Sequence, residues 1–437
     1  MAEKQYYTRV IDSLLSEWAQ SEAHKPVLLR GARQVGKSSA VRHLALQFKY
    51  FIEMNFEKEP SLKTLFSKDI DIPRICEDLS ASYGMPVKEG ETLLFLDEIQ
   101  DCADAIRALR YFYEEKPGLH VIAAGSLLEF TLAELPTFAV GRIRSMFMYP
   151  FSFYEFLGVV GNSQLQHIIT HKTDFEPLSG IVHEKLLQHY RTFLLLGGMP
   201  EVVATWQNTH NYAACTAVHE DILTSYMLDF AKYKTRVPSL TLQQVLISVA
   251  RQAGQKFVYS QAAPEIEKVK ESLSLLSMAG LIIPVTHTAA NGLPLGAETN
   301  EKFRKFLMMD TGLMLHLLGL NPGELVLLDT ASLVNKGALA EVAAGLELQK
   351  AASSTSRTEL FYWQNLKPGA QAEIDYLTIR QGEMIPVEVK AGSRGSMKSM
   401  YYFLDLKQLP YGIRTSMENY GSMEKIRIVP LYAIGQI

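Results

Sequence analysis

The chain has 437 residues, of which 47% are hydrophobic and 21% are charged, with a formal net charge of −4. This length predicts roughly two to four domains, and the composition excludes a disordered chain. The near-neutral charge excludes a protein that is basic overall, so any contact with nucleic acid needs a local patch. The three cysteines form no C-x-x-C pair, which disfavours a disulfide framework or a structural zinc site and favours a reducing compartment.

The first 18 residues, MAEKQYYTRVIDSLLSEW, contain no apolar segment followed by a small-residue cleavage site. No uncharged stretch is long enough to span a bilayer. We therefore expect a soluble, cytoplasmic protein without a membrane partner.

Residues 25–40, KPVLLRGARQVGKSSA, carry the sharpest motif. An apolar strand over 27–29 leads into a segment that fits G-x-x-x-x-G-K-[ST]. In such a loop, glycines let backbone N–H groups surround phosphates, the lysine meets the β- and γ-phosphates, and the Ser38 hydroxyl ligates Mg²⁺. A glycine-rich turn that merely opens a helix is the alternative. The predicted nucleotide-binding residues are Gly31, Ala32, Arg33, Gln34, Val35, Gly36, Lys37, Ser38 and Ser39.

A second apolar strand, in TLLFLDEIQ (92–100), ends in Asp97 and Glu98. A run of this kind is typical of a central parallel strand. Asp97 would hold Mg²⁺ beside the phosphate loop, and Glu98 would act as general base on the attacking water. The alternative is an acidic turn capping the next helix. HVIAAGS (120–126) would bring Ser126 to the same edge as a γ-phosphate sensor, unless it is only a helix N-cap. ATP and Mg²⁺ are the cofactors this pattern predicts.

Two more strand candidates, 48–58 and 145–157, alternate with helical patterns and predict a doubly wound parallel α/β sheet. The order GARQVGKSS, LLFLDEIQ, AAGSLLEF, GRIRSMFMYPFSFYEF and LLLGGMPEVV resembles a prokaryotic family of AAA-type P-loop ATPases that carry a C-terminal domain of unknown function. The resemblance implies that Arg142 is an arginine finger or sensor arginine, and a finger acting in trans would require a neighbouring copy. A surface arginine paired with Glu155 or a similar acid is the alternative.

The middle of the chain reads as helices over 183–235, interrupted at Gly197, Gly198 and Pro200. Two further helices and a returning strand follow, and this segment resembles a winged helix-turn-helix. Between 238 and 320, seven Lys and Arg face six Asp and Glu. The candidate recognition helix alternates acids with Lys268 and Lys270, which favours packing or a protein partner over DNA reading.

The tail predicts a helix over 331–350, then the strands ELFYWQ, AEIDYLTIR and EMIPVEVKAG. This order resembles a restriction-endonuclease-like α/β domain, whose nuclease motif is an acid, then Asp, then (D/E)-x-K. The resemblance implies that Asp375 and Glu388 are metal ligands and that Lys390 positions or activates the water. The alternative is the solvated face of a half-buried strand.

Glu341 falls in register with Val334, Gly337, Ala338 and other small or apolar residues of the same helix, and so points inward. A buried carboxylate needs a partner. That partner is either a metal ion shared with Asp375 and Glu388 or a salt bridge to Lys390. Beyond it, a basic run with interleaved aromatics would suit a phosphate backbone, or else a helix packed on the sheet. The run comprises Lys390, Arg394, Lys398, Tyr401, Tyr402, Phe403, Lys407 and Arg414.

The sequence thus predicts four parts: an AAA-type ATPase domain (1–180), a helical linker or lid (181–235), a winged-helix-like domain (236–320) and a restriction-endonuclease-like domain (321–437). The predicted function is an ATP-hydrolysing protein whose tail engages nucleic acid, DNA ahead of RNA, as a metal-dependent nuclease under ATP control. The alternative is a nucleotide-switched interaction or signalling ATPase with an inactive nuclease-like domain, bound to a protein partner or to copies of itself. A DNA-binding regulator without nuclease chemistry ranks last.

Overall fold

The computed structural model describes residues 5–67, 70–126, 128–134, 141–230, 237–320, 323, 337–390, 392 and 396–437. The chain divides into two compact units. The first comprises Met1–Tyr149 with Ser353–Arg357, and the second comprises Pro150–Ala352 with Thr358–Ile437.

The first unit is built on a parallel five-stranded sheet in the order β2-β3-β4-β1-β5, which confirms the predicted parallel α/β sheet. Strands β3 and β4 are buried along their whole length, as their continuous apolar runs predict. The strands are β1 (Val27–Arg30), β2 (Tyr50–Asn55), β3 (Thr92–Asp97), β4 (His120–Ala124) and β5 (Arg144–Phe147). The helices are α1 (Val10–Gln20), α2 (Lys37–Ala45), α3 (Ile72–Tyr83), α4 (Ala103–Glu115) and α5 (Leu128–Glu134).

The strand expected over 145–157 is only half right. β5 ends at Phe147, and helix α6 (Phe153–Val159) follows. The Ser152 hydroxyl accepts from the Glu155 N–H at 3.2 Å, and the Glu155 carboxylate accepts from the Ser152 N–H at 2.8 Å. This reciprocal capping box starts a helix where the aromatic run alone favoured a strand.

The second unit begins with α6 and continues with helices before and after a β-hairpin. The helices expected over 183–235 are present, and Gly197 lies between the first two of them with φ of +73°. The helices are α7 (Ser163–Thr170), α8 (Gly180–Leu196), α9 (Pro200–Thr209), α10 (Tyr212–Asp229), α11 (Ser239–Arg251), α12 (Ile266–Met278), α13 (Thr311–Leu317), α14 (Ala338–Ala351) and α15 (Lys398–Lys407).

One mixed eight-stranded sheet organises this unit, in the order β12-β13-β11-β10-β9-β8-β6-β7. Its strands are β6 (Ile282–Thr288), β7 (Thr299–Met308), β8 (Leu360–Gln364), β9 (Glu373–Arg380), β10 (Glu383–Val389), β11 (Gly412–Ser416), β12 (Gly421–Met423) and β13 (Ile426–Pro430). The β6–β7 hairpin follows α11 and α12, where a wing was expected, and β6 pairs in parallel with β8. Strands of the third and fourth predicted parts therefore share one sheet, and the fourfold division itself stays a prediction.

The predicted tail elements are present where the structure describes them. Helix α14 begins at Ala338, and Val334 lies outside the described residues, as does Arg394 of the basic run. That run is not a continuous solvent-facing patch. Phe403 is fully buried in the core, and Arg414 is buried on β11 with an ion pair to Glu418 at 3.0 Å. The reason is that α15 packs an amphipathic face against the sheet, which was the alternative. Within the described helices, none is both long and apolar enough to cross a membrane.

Candidate nucleotide site and acidic cluster

The phosphate loop connects β1 to α2, and its glycines are required by its backbone. Gly31 has φ of +145°, and a Cβ there would lie 2.1 Å from the carbonyl oxygen of Met148. Gly36 caps α2 with φ of +98°, and Gln34 is also left-handed, with φ of +64°. Residues other than glycine rarely adopt such backbone angles, so the loop has the tightly turned backbone that its motif predicts. Its remaining residues are Ala32, Arg33, Val35 and, on α2, Ser39.

Lys37 is buried at the start of α2, and its ammonium lies over the loop. Its Nζ donates to the carbonyl oxygens of Gly31, at 2.8 Å, and Ala32, at 2.7 Å. Burial lowers the pKa of Lys37 to about 8, and the charges of Glu98 and Asp97 oppose that shift. A cation held by neutral carbonyls in a glycine-rich loop is placed to exchange them for phosphate oxygens.

Asp97 lies at the end of β3, directly beside Ser38. The Ser38 hydroxyl donates to the Asp97 carboxylate at 3.1 Å, and the Asn55 amide donates to it at 3.0 Å. Burial, with a further contribution from Glu98, raises the pKa of Asp97. Asn55 was missed by sequence reasoning. It is the residue opposite Asp97 in the β2–β3 register, and only the strand order shows this.

Glu98 and Ser126 meet at the same edge of the sheet, as expected for neighbouring parallel strands. The Glu98 Oε2 accepts from the Ser126 hydroxyl at 3.3 Å and from the Gln100 amide at 2.7 Å. Glu98 itself is left-handed, with φ of +50°, which turns the chain sharply after the strand. The roles of general base and γ-phosphate sensor stay predictions.

Arg142 is a surface residue of the first unit, with 42% of its side chain exposed. Its Nε donates to Glu114 of α4 at 2.5 Å, and Glu114 also accepts from Arg110 at 2.9 Å. The suggested surface pairing is therefore present, with Glu114 as the acid. A role as arginine finger stays a prediction.

In the second unit, the four residues predicted for a nuclease site lie in one cluster. Asp375 on β9 accepts from the Val389 N–H at 2.7 Å, and Lys390 donates to Glu388 Oε1 at 2.6 Å. Burial, with the charge of Asp375 added, raises the pKa of both Glu341 and Glu388. The pairing of β9 with β10 brings Asp375 and Glu388 together, as the hairpin predicted from their separation requires.

The cluster contains a cation that sequence reasoning missed, Lys305 on β7. Its Nζ donates to Glu341 Oε1 at 2.7 Å, forms a short ion pair with Glu373 and lies 3.8 Å from Asp375 Oδ1. We expected the partner of Glu341 to be either a metal ion or Lys390. That prediction was wrong, because its partner is Lys305. No sequence signal marked this lysine, because it lies 36 residues before Glu341 in a strand assigned to another part.

A metal ion bound by Glu341, Asp375 and Glu388 together does not fit this arrangement, because an ammonium already lies between the first two. Within the described ranges, no three or more acid, His or Cys side chains are arranged to hold a metal ion. What remains is a pair, Asp375 and Glu388. The Glu388 Oε2 is buried without a hydrogen-bond partner. The residues of the nucleotide site do fit Mg²⁺, since a hydroxyl and a dehydrated carboxylate converge beside Lys37.

Residues 23–157 match the family model described as an AAA domain. Residues 187–324 and 336–434 match two models described as domains of unknown function, DUF8612 and DUF4143. The first of these three segments is therefore an AAA-type P-loop domain. The other two matches give no support for a nuclease.

An uncharacterized protein of Methanocaldococcus jannaschii is 21% identical over 277 residues, which are 62% of this chain and 58% of that protein. The chain thus spans about 58% of the length of this curated relative. Among solved structures, the Walker-type ATPase PABY2304 of Pyrococcus abyssi is 16% identical with a TM-score of 0.47, over 72% of this chain and 97% of the other. The Aeropyrum pernix Orc1 protein, in complex with DNA, is 12% identical with a TM-score of 0.30, over 74% and 95%. Both TM-scores are below 0.5, so functional conclusions rest on the residues of this chain.

Proposed function

We propose that this protein binds ATP with Mg²⁺ and hydrolyses it in the AAA domain. The observation that carries this proposal is the contact of Ser38 with Asp97 at 3.1 Å, next to the buried ammonium of Lys37. These are the hydroxyl, carboxylate and cation that a nucleotide triphosphate with its metal requires, converging from α2 and β3. Mg²⁺, when bound by Ser38 and Asp97, supplies the positive charge that offsets the phosphates.

Each residue has a separate part in this proposal. Lys37 contacts the β- and γ-phosphates, and the loop N–H groups surround them. Glu98 follows directly after Asp97, so its carboxylate lies close to the residue that would hold Mg²⁺. From there it orients and deprotonates the attacking water. The Ser126 hydroxyl donates a hydrogen bond to the Glu98 carboxylate, which links the γ-phosphate sensor to the general base.

The test compares Lys37→Ala and Glu98→Gln in the full chain. We expect Lys37→Ala to lose nucleotide affinity, whereas Glu98→Gln should bind ATP and fail to turn it over. Binding is measured with a fluorescent ATP analogue and turnover by phosphate release. Glu77→Gln, at an exposed acid on α3 of the same unit, is the matched control and should change neither. Equal binding loss in Lys37→Ala and Glu98→Gln would refute the separate roles.

For the second unit, we propose an interaction module that the nucleotide state controls, with a protein partner or another copy of this chain. Two observations support this over nucleic-acid chemistry. The acidic cluster is neutralised in part by Lys305. On α12, the lysines that would meet DNA phosphates pair with neighbouring acids, Lys268 with Glu265 and Lys270 with Glu267, both at 2.8 Å.

Metal-dependent nuclease action is the second candidate, favoured by one observation. Asp375, Glu388 and Lys390 are adjacent, and a buried carboxylate oxygen of Glu388 has no partner. The full chain would be incubated with Mn²⁺, ATP and mixed single- and double-stranded DNA and RNA. Cleavage that disappears in Asp375→Ala would establish the nuclease. Absence of cleavage together with nucleotide-dependent capture of a protein partner or self-association would establish the interaction module.

A winged-helix contact with DNA makes a different prediction, namely binding that weakens steeply as salt rises. Duplex binding that survives Asp375→Ala but is lost in Lys268→Ala with Lys270→Ala would support that third function. We expect no such loss, because each lysine already has an acidic partner three residues earlier in the chain.

A further inference from the structure

We infer that Lys305 is the resident cation of the acidic cluster, and that its ammonium occupies the position a divalent metal ion would need between Glu341 and Asp375. In the wild-type protein, this position therefore does not bind Mg²⁺ or Mn²⁺. Removing the ammonium should open it. The inference concerns the second unit alone, so it does not depend on whether the AAA domain hydrolyses ATP.

The first support is the burial of the lysine. Only 2% of its side chain is exposed, yet it has contacts with three carboxylates, those of Glu341, Glu373 and Asp375. Its Nζ also lies 5.1 Å from the ring centre of Tyr362. A lysine with so little access to water is expensive to bury unless anions surround it. Burial alone would lower the pKa of Lys305. The charges of the three acids outweigh burial and raise the pKa above its ordinary value, so the ammonium stays charged.

The second support is that Glu341 is held in place for this lysine. Its own carbonyl oxygen accepts from the Tyr376 hydroxyl at 2.7 Å. On the other side, Gly254, three residues after the last residue of α11, has φ of +73°, and a Cβ there would lie 3.0 Å from Glu341 Oε2. Helix α14 is thus fixed from β9, and the carboxylate has close neighbours. A swing of Glu341 toward a metal at Glu388 would leave Lys305 with one acid fewer inside the protein.

The third support is the charge that remains without the lysine. Glu341, Glu373 and Asp375 would then lose their ion pairs with Lys305, that of Glu388 with Lys390 would remain, and one oxygen of Glu388 is already buried without a partner. Oxygen ligands of this kind, held by a helix and two strands, are what hard divalent cations bind. The ammonium of Lys305 is therefore the feature that separates this cluster from a metal site.

The test titrates nucleotide-free full-length protein with Mn²⁺ alone, followed by electron paramagnetic resonance of free Mn²⁺. We expect the wild type to show no cluster site tighter than about 1 mM. Lys305→Met, which keeps the volume and removes the charge, should bind one additional Mn²⁺ at least about tenfold more tightly. Lys305→Arg should gain no site, and neither should Lys425→Met, the control that removes an exposed lysine of the same unit outside the cluster.

Two outcomes would overturn the inference. One is a submillimolar Mn²⁺ site in the wild type that Glu341→Gln abolishes, since the position would then be open with the lysine present. The other is a folded Lys305→Met that binds Mn²⁺ no more tightly than the wild type. Should Lys305→Met fail to fold without metal, its unfolding temperature is measured with and without Mn²⁺. Stabilisation by Mn²⁺ that is absent from the double variant with Glu341→Gln supports the inference, and no stabilisation contradicts it.

Discussion

The guanidinium of Arg9 donates to the carbonyl oxygen of Val35, in the middle of the phosphate loop, at 3.0 Å. A second donor of the same group reaches the carbonyl oxygen of Tyr149 at 2.7 Å. Arg9 precedes α1 and is buried, so a residue outside the motif fixes the backbone of the loop. The shape of the nucleotide site therefore depends on the segment ahead of the first helix.

Replacing this arginine should weaken both stability and nucleotide binding. Arg9→Met leaves two carbonyl oxygens without these donors, and each lost partner costs roughly 1–3 kcal/mol. We expect a lower unfolding temperature and an ATP dissociation constant raised by about tenfold or more. Arg42→Met removes an exposed arginine paired with Glu53 and should have little effect. Unchanged ATP affinity in a folded Arg9→Met would show that the loop holds its shape unaided.

Gly31→Ala should disturb the same loop by a steric route. The added methyl would lie 2.1 Å from the Met148 carbonyl oxygen, and the φ of +145° is strained for alanine. We expect loss of ATP binding and a lower unfolding temperature, measured by nucleotide titration and differential scanning fluorimetry. Gly180→Ala is the control, because nothing lies within 4 Å of a Cβ at that position. If Gly31→Ala bound ATP like the wild type, the close approach to Met148 would be irrelevant to the site.

Stability should fall on the acid side because of His120. Its Nε2 donates to the Ala19 carbonyl oxygen at 3.0 Å, and its ring stacks on His24 at 3.9 Å between centroids. Burial, with the neighbouring His24, lowers the pKa of His120 from 6.5 to about 4. Between these pH values, the unfolded chain takes up a proton that the folded chain does not. The free energy of unfolding therefore keeps its full value above pH 6.5. It decreases as the pH falls toward 4, by up to about 1.4 kcal/mol per pH unit.

The measurement is urea unfolding at pH 7 and pH 5 for the wild type and His120→Gln. Glutamine keeps a donor for Ala19 and removes the titrating group, so its stability should fall less over this interval. Groups that do not contact residue 120 titrate alike in both proteins and cancel in the difference. An identical decline in the two proteins would exclude His120 as the source.

Asp310 should stabilise the turn that connects α8 to α9. Its carboxylate accepts from the Gly198 N–H at 2.6 Å and from the Leu313 N–H at 3.0 Å. A Cβ at Gly197 would lie 2.1 Å from the same carboxylate, and one at Gly198 would lie 2.2 Å from the carbonyl oxygen of Phe151, which explains the paired glycines of GGMPE. Asp310→Ala leaves buried donors without an acceptor and uncaps α13, so we expect a loss of roughly 2–4 kcal/mol in the free energy of unfolding.

The measurement for Asp310→Ala is chemical denaturation, and Glu220→Ala, at an acid that is two-thirds exposed, is the control. Glu220→Ala should change stability by less than about 0.5 kcal/mol. A similar small effect of Asp310→Ala would mean that the glycine pair is held by other contacts.

The elements that the sequence predicted well are those whose signals are local. The strands β1, β3 and β4 and the phosphate loop follow from short apolar runs and a contiguous motif. The error over 153–157 has a local cause too, since a capping box overrode an aromatic run that resembled a strand. The partner of Glu341 was missed for the opposite reason: the ion pair joins β7 to α14, and no periodicity reports which lysine of a distant strand points inward.

By itself, the sequence determined that the chain contains a parallel P-loop domain, because glycine, lysine, serine and aspartate at fixed spacing specify a backbone shape and a charge pattern that few other folds require. It also determined that Asp375 and Glu388 would meet, since the hairpin of β9 and β10 sets their separation. Only the tertiary structure decided what those acids surround. The extension of the sheet by β6 and β7 buries Lys305 among them, and the strong attraction between charges withheld from water makes that ammonium their counterion.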